Sequence, residues 1–273
     1  MPIDDMGIYL EGFGFMTGKD SHTIADEVFE KLDEQNKLYK VEPHEHSYPV
    51  CWRCKSEIVF RLVPAWYIKT SEIKPKLIEC ANSVKWEPAS NGKRMNDWLT
   101  NMGDWNISRK RYYGMPLPFY PCSCGHITVI GSKDELREKA VDPAQVDALP
   151  ELHRPWVDEV KIKCPHCGKE VSRVSDIGDV WLDAGIVPFS TLGYFTDREA
   201  WEKNFPAEWV TEMHEQVRLW FYSMLFMSTV LVGKAPYERV VTNGMVVAED
   251  GSKFSKTGFM IKFDEAAEKI GAD

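Results

Sequence analysis

Apolar residues recur with a helical period in some stretches of this chain and alternate or run unbroken in others. The first helical signal covers 21–38, where Ile24, Val28, Phe29 and Leu32 share one face. Ser71 precedes a second, carrying Ile73, Leu77, Ile78 and Ala81, and Met95, Trp98, Leu99 and Met102 mark a third. Between the first two, 58–68 is aromatic and β-branched and reads as extended. In 122–173 the elements shorten. Ile127 and Val129, then Val160 and Ile162, alternate as strands do, and Ser132 with Glu135 three residues on is a capping-box pair that opens a helix. Past 173 the rhythm becomes strand, helix, strand. A short buried strand at 208–212 is followed by 215–232, apolar nearly all round and so placed in the core, then by a strand at 239–248, a loop, and a helix from about Asp264. That order predicts a parallel α/β sheet, in which ligands bind beyond the carboxyl ends of the strands. Glu212 and the loop after Ala248 fall there.

Composition adds little to this picture. At 44% hydrophobic and 27% charged, the 273 residues belong with globular proteins. The longest nearly unbroken apolar run, Trp220–Val232, is 13 residues, short of the ~20 that span a bilayer. The opening Met1-Pro2-Ile3-Asp4-Asp5 has no basic segment leading into an apolar one, so the expectation is a cytoplasmic protein without membrane association. With 33 basic and 42 acidic residues the net charge is −9, so any contact with nucleic acid should be local. The run Arg109-Lys110-Arg111 beside Tyr112 has two readings, a phosphate contact or a solvated basic turn.

The seven cysteines change the picture more. Six fall in close pairs: Cys51 and Cys54, Cys122 and Cys124, Cys164 and Cys167. Such pairs without a leader read as metal knuckles rather than disulfides. Cys122-Ser123-Cys124-Gly125 and Cys164-Pro165-His166-Cys167-Gly168 place a glycine where each knuckle must turn tightly, and four thiolates in two knuckles compose a closed structural Zn²⁺ site. His126 and His166 are rival ligands that such a site does not need. Cys80, alone in an apolar helical pattern, reads as a small buried hydrophobe.

The loop Gly251-Ser252-Lys253-Phe254-Ser255-Lys256-Thr257-Gly258 carries two lysines three apart among small residues. It can fold over a polyphosphate and meet the charge that develops there, or simply be solvated. It resembles the KMSKS signature of class I aminoacyl-tRNA synthetases, with Phe254 and Thr257 as departures. Three further segments are similar to the isoleucyl branch of that class, in the same order. Trp105-Asn106-Ile107-Ser108-Arg109-Lys110-Arg111-Tyr112-Tyr113-Gly114, followed by Met115-Pro116-Leu117-Pro118, resembles WNISRQRYWG-x-P-x-P. Gly178-Asp179-Val180-Trp181-Leu182-Asp183-Ala184-Gly185 resembles the DVWFDSG segment, and 212–221 resembles E-G-x-D-Q-x-R-G-W-F. Cys51 with Cys54, and Pro64-Ala65-Trp66-Tyr67-Ile68, also have counterparts. Tyr113 and Ala184 are departures from the pattern. A valyl enzyme is the nearest rival, though Arg111-Tyr112-Tyr113-Gly114 with Pro116 and Pro118 is closer to the isoleucyl form.

The resemblance implies the second half of a nucleotide-binding, Rossmann-like parallel sheet with an inserted zinc module. It implies activation of L-isoleucine by ATP, taken as its Mg²⁺ complex, and transfer to tRNA(Ile). Glu212 would bind the aminoacyl-adenylate with help from Gln216, and Glu215 stands where the family has Asp. Trp181 and Trp220 would wall the side-chain pocket. Lys256 would contact ATP phosphates with Lys253 in support. Cys122, Cys124, Cys164 and Cys167 would hold zinc, and Cys51 and Cys54 would be half of a second site. The implied organisation is 1–48 as the tail of an editing insertion, 49–121 as a return segment, 122–173 as the zinc module and 174–273 as the second half of the catalytic domain. No His-x-Gly-His occurs, so the expectation is a fragment or one piece of a split enzyme. Its HIGH half and anticodon-binding region would be further partners. The alternative is a non-catalytic, zinc-stapled fragment that binds adenylate or tRNA.

Overall fold

The computed structural model describes residues 2–51, 53–255 and 258–271. The chain divides into two compact units, Met1–Pro64 and Ala65–Asp273. In the first, α1 (Ala25–Glu34) is shorter than its periodicity suggests. Asn36 takes a left-handed φ of 54°, and the Lys37 amide donates back to Leu32 O at 2.8 Å, which closes the helix before the pattern runs out. An antiparallel bridge, Val50 to Glu57, frames Cys51 and Cys54.

The second unit begins with β1 (Tyr67–Ile68), α2 (Lys74–Asn82), β2 (Lys85–Glu87), α3 (Ser90–Asn101), β3 (Trp105–Asn106) and β4 (Ser108–Arg109). Two hairpins and two short helices follow: β5 (Phe119–Pro121), β6 (Ile127–Val129), α4 (Lys133–Lys139), α5 (Pro143–Asp147), β7 (Lys161–Lys163) and β8 (Glu170–Ser172). The order ends with β9 (Ile177–Gly178), α6 (Val180–Gly185), α7 (Val187–Ser190), α8 (Arg198–Asn204), β10 (Val210–Met213), α9 (Trp220–Val232), β11 (Arg239–Asn243) and α10 (Phe263–Ile270). Of the aromatic stretch 58–68, only Tyr67–Ile68 becomes strand, paired antiparallel with β3.

The parallel sheet has the order β10-β11-β2, with Glu212 opposite Thr242 and Val241 opposite Glu87. The α9 helix links β10 to β11 and buries most of its circumference, as an all-apolar helix must. It packs with α2 and α3 in a core that includes Leu77, Met95, Leu99, Phe221, Leu225 and Phe226. Buried polar ends find partners there. The Tyr237 hydroxyl donates to Phe221 O at 2.9 Å, and the Trp86 indole N–H donates to Ala81 O at 2.9 Å. Cys80 is 4% exposed within this core, in keeping with its apolar reading.

The apolar run is not one helix. His214–Arg218 forms a 3-10 turn, Leu219 breaks it at φ −120°, ψ −102°, and the α-helix starts at Trp220. Periodicity could not show this, because a tightened turn keeps the same composition. Likewise β11 ends at Asn243 rather than Ala248.

A second core lies among the hairpins, built on Tyr120, Leu136, Val146, Val157, Val160 and Ile162. Ser132 caps α4, its hydroxyl accepting from the Glu135 amide at 3.1 Å. Glu135 reaches back one residue further than a capping box requires, accepting from the Gly131 amide at 2.7 Å.

Candidate active site and metal centre

The carboxyl end of β10 carries three of the singled-out polar side chains within five residues. Glu212 sits on the strand and is exposed. Glu215 and Gln216 follow on the 3-10 turn. The Gln216 carboxamide oxygen accepts from the Trp220 amide at 3.2 Å, so it holds the start of α9. Glu215 has one carboxylate oxygen 3.6 Å from His214 Nε2, while its other oxygen is closed off from solvent without a donor. A buried carboxylate oxygen left unpaired is costly, and such groups mark places where a donor arrives from elsewhere.

Trp181 and Trp220 come from helices that touch. A Cβ added at Gly185 would lie 2.7 Å from Ser223 O, so α6 and α9 approach backbone to backbone. The Trp220 indole N–H donates to Ala184 O at 3.0 Å across that contact. Trp181, on the first turn of α6, faces a cavity of about 350 Å³ walled by Trp98, Trp105, Leu219 and Tyr222, and Trp220 does not line it.

At the floor of that cavity is a charge pair that sequence reasoning passed over. Asp179, 4% exposed, caps α6 by accepting from the Trp181 amide at 3.3 Å. It also accepts from Arg109 at 2.6 Å and from the Trp105 indole at 3.1 Å. Its place just before a helical pattern was the signal available, since Asp is a favoured N-cap.

Beyond β11, residues 247–253 fold into a turn. Val247 bridges Lys253, the Ala248 amide donates to Ser252 O at 2.8 Å, and Asp250 accepts from the Ser252 amide at 2.9 Å. Lys253 is exposed and makes no ion pair among the described residues. Phe254, one of the departures, packs on Phe259 with ring centroids 5.6 Å apart. Lys256 lies outside the described residues.

The sulfurs of Cys122, Cys124, Cys164 and Cys167 all lie within 4.8 Å of one another. Two separations are 3.4 Å (Cys122 to Cys167) and 3.8 Å (Cys124 to Cys164). Each knuckle is closed by backbone bonds. Cys164 N–H donates to Lys169 O and Gly168 N–H to Cys164 O, both at 2.8 Å. Gly125 and Gly168 take φ of 87° and 73°, where a side chain would be strained. Sulfurs this close do not ionise together. A hydrogen bond from the Cys124 amide is the main cause that lowers the Cys122 thiol to about 6. At Cys167 the Lys169 amide also lowers the thiol, but the neighbouring sulfurs, Cys122 first, outweigh it and raise it to about 12. A cation at the centre would let all four become thiolates, and the donor set suits a soft, tetrahedral ion. His126 and His166 stack beside the cluster, ring centroids 6.0 Å apart, without joining it.

Cys51 and Cys54 repeat the knuckle. Cys51 N–H donates to Ser56 O and Lys55 N–H to Cys51 O, both at 2.8 Å, with Lys55 at φ 64° in the place of glycine. Hydrogen bonding from the Ser56 hydroxyl lowers the Cys54 thiol to about 7. Among the described residues, no further potential ligands gather round this pair.

The parallel sheet thus carries acidic and amide side chains at the carboxyl end of β10, with a lysine-bearing turn after the next strand. Residues 16–273 match the family described as tRNA synthetases class I (I, L, M and V), and the chain belongs to that family. Its similar relatives include isoleucine–tRNA ligases. That of Methanopyrus kandleri is 38% identical over 100% of this chain and 26% of its own length. That of Clostridium novyi is 39% identical over 99% and 26% respectively. The chain thus spans about a quarter of the length of these curated relatives. Among solved structures, a methionyl-tRNA synthetase of Mycobacterium tuberculosis is similar over 82% of this chain and 34% of its own, with 15% identity and a TM-score of 0.49. No described helix is long and apolar enough to cross a membrane.

Proposed function

We propose that this chain supplies the adenylate-binding half of an isoleucine–tRNA ligase. Such an enzyme joins the isoleucine carboxylate to the α-phosphate of ATP, releases pyrophosphate, and passes the activated acyl group to a tRNA hydroxyl as the acyl–phosphate bond breaks and AMP leaves. The observation that carries the reading is the placement of Glu212, Glu215 and Gln216 together at the carboxyl end of β10, in a chain 38% identical to an isoleucine–tRNA ligase.

The residues have distinct work. Glu212 accepts from the substrate ammonium or the ribose hydroxyls. Glu215 offers its unpaired oxygen to the same cationic end, and Gln216 holds the turn that positions both. Trp181 and Trp220 flank the side chain from the touching helices α6 and α9. Lys253, with Lys256, neutralises phosphate charge as pyrophosphate leaves; oriented donors of this kind each contribute about 10²–10³ in rate. The ATP enters as its Mg²⁺ complex, and the ion screens the same phosphates. Cys122, Cys124, Cys164 and Cys167 hold a structural zinc whose binding stabilises the hairpin module; the reaction does not pass through it.

The sequence holds no His-x-Gly-His, and we infer that activation needs a polypeptide supplying that signature. Binding of a sulfamoyl analogue of isoleucyl-adenylate to the 273-residue chain, followed by calorimetry, tests the site. The chain should bind it more tightly than the leucyl analogue, and Glu212→Ala should weaken binding at least tenfold. Equal affinity for both analogues, unaffected by Glu212→Ala, would remove the basis of the reading.

A further inference from the structure

Trp181, the tryptophan that faces the cavity, is carried by a helix too short to hold its own place. The α6 helix has six residues, and isolated helices of that length do not persist in water, so its position comes from what grips its two ends. At the carboxyl end the grip is α9. Gly185 lies backbone to backbone against Ser223, and the Trp220 indole donates to Ala184 O at 3.0 Å. At the amino end the grip is one side chain, Asp179, buried at 4% exposure. Its Oδ1 accepts from the Trp181 amide at 3.3 Å, while Oδ2 accepts from Arg109 at 2.6 Å and from the Trp105 indole at 3.1 Å.

The donors are themselves fixed. The Arg109 guanidinium donates twice more, to Asn106 O and Ser108 O, both at 2.9 Å, so its planar fork is set before it meets the carboxylate. Trp105 packs against Phe226 and Tyr222 of α9, with ring centroids 5.0 and 5.7 Å away. The main chain adds to the hold: Asp179 N–H donates to Ile107 O at 2.8 Å, and Ser108 stands opposite Gly178 where β4 pairs with β9. Capping alone asks for no charge, since serine, threonine or asparagine caps a helix as well. A buried carboxylate needs a cation beside it, and the one it has ties the cap of α6 to β3 and β4.

We propose that Asp179, locked by Arg109, is a positioning residue for the isoleucine side-chain pocket, and that it acts by holding the Trp181 indole against the cavity. Its role rests on the reading of this chain as the adenylate-binding half, with Trp181 beside the substrate side chain. A shift of α6 moves that indole but leaves Glu212, Glu215 and Gln216 in place on β10 and the turn after it. Loss of the lock therefore falls on recognition of the side chain and not of the rest of the adenylate.

Calorimetry on the 273-residue chain with the sulfamoyl analogues of isoleucyl- and glycyl-adenylate, which differ only in the side chain, tests this. Wild type should prefer the isoleucyl analogue by on the order of tenfold to a hundredfold, the contribution of one buried isoleucine side chain. Asp179→Asn turns an amide donor against either Arg109 or the Trp181 amide. It should remove most of the preference and leave affinity for the glycyl analogue as in wild type. Adding Arg109→Gln gives that amide an acceptor and should restore part of the preference. In a Trp181→Ala chain, Asp179→Asn should change the preference no further, since both act through one indole. Should Asp179→Asn not fold, Arg109→Lys keeps the charge but not the fork, and should lose part of the preference. Equal losses for the two analogues, or a lower melting temperature with the preference intact in Asp179→Asn or Arg109→Lys, would make Asp179 structural only and overturn the proposal. So would a full further loss in the Trp181→Ala chain. A wild-type preference that survives these variants leaves the ligase reading standing, whereas a wild type without any preference sinks that reading and the role of Asp179 with it.

Discussion

Replacing Cys164 by serine should release a zinc ion and unfold the hairpin module. In a tetrahedron with zinc–sulfur bonds of about 2.3 Å, the sulfurs stand about 3.8 Å apart. The four thiols here already lie within 4.8 Å of one another, with two pairs at 3.4 and 3.8 Å. The ion therefore enters with shifts of an ångström or less. Structural zinc binds such sites with an apparent ~10–16 kcal/mol, comparable with the whole net stability of an ordinary domain, ~5–15 kcal/mol. The module's own core is small and built largely of valine, leucine and isoleucine with Tyr120, and segments of this size usually need a metal or a bridge to stay folded. Elemental analysis after gel filtration should find about one zinc per wild-type chain and none in Cys164→Ser. Hydrogen exchange should then lose protection in β5, β6, β7 and β8 while α9 keeps it. A metal-free protein with an unchanged melt and protected hairpins would refute the reasoning, and Cys51→Ser should leave the zinc count as it was.

Gly185→Ala should destabilise the chain by about 1–3 kcal/mol, because its methyl would meet the Ser223 carbonyl at 2.7 Å; a denaturant midpoint equal to wild type would contradict the close contact of α6 and α9. Asp158→Asn leaves the buried Arg173 guanidinium with a weakened partner and should cost about 3 kcal/mol in urea unfolding. Burial raises the Asp158 carboxyl, but hydrogen bonds from Arg173 and then Arg154 outweigh it and hold the group below the usual range. A lowered folded value means that this stabilisation is complete above the unfolded value near pH 4 and fades as pH falls below it; wild type alone should show that extra acid loss. In a reconstituted ligase, Trp220→Ala should erode the preference for isoleucine over valine. One methylene in an apolar pocket distinguishes ligands by about 1–3 kcal/mol, a range known for this class of enzyme rather than worked from the structure; unchanged selectivity would make Trp220 a packing residue only.

What was legible in the sequence was what chemistry spells locally. The glycines after Cys124 and Cys167, the Ser132 cap and the all-apolar α9 each follow from residue type and spacing, and each takes the expected place. What escaped depended on partners far along the chain. Asp179 looked like one letter of a motif. Its weight comes from Arg109 and Trp105, 70 and 74 residues away, which converge on one carboxylate oxygen. The cavity that Trp181 faces is also walled by Trp98 and Trp105, aromatic residues of α3 and β3 that no spacing in the sequence brings together with α6. The break at Leu219 was invisible for a different reason, since a backbone dihedral leaves no mark in an apolar pattern.

The most direct test of the account is isoleucine-dependent ATP–pyrophosphate exchange by this chain mixed with a polypeptide carrying the His-x-Gly-His half of an isoleucine–tRNA ligase. The mixture should exchange with isoleucine, neither part alone should rise above background, and Glu212→Ala or Lys256→Ala in this chain should each remove at least 99% of the rate, about the loss of one oriented group. Exchange that is indifferent to both substitutions would contradict the claim that this chain supplies half of the adenylate site.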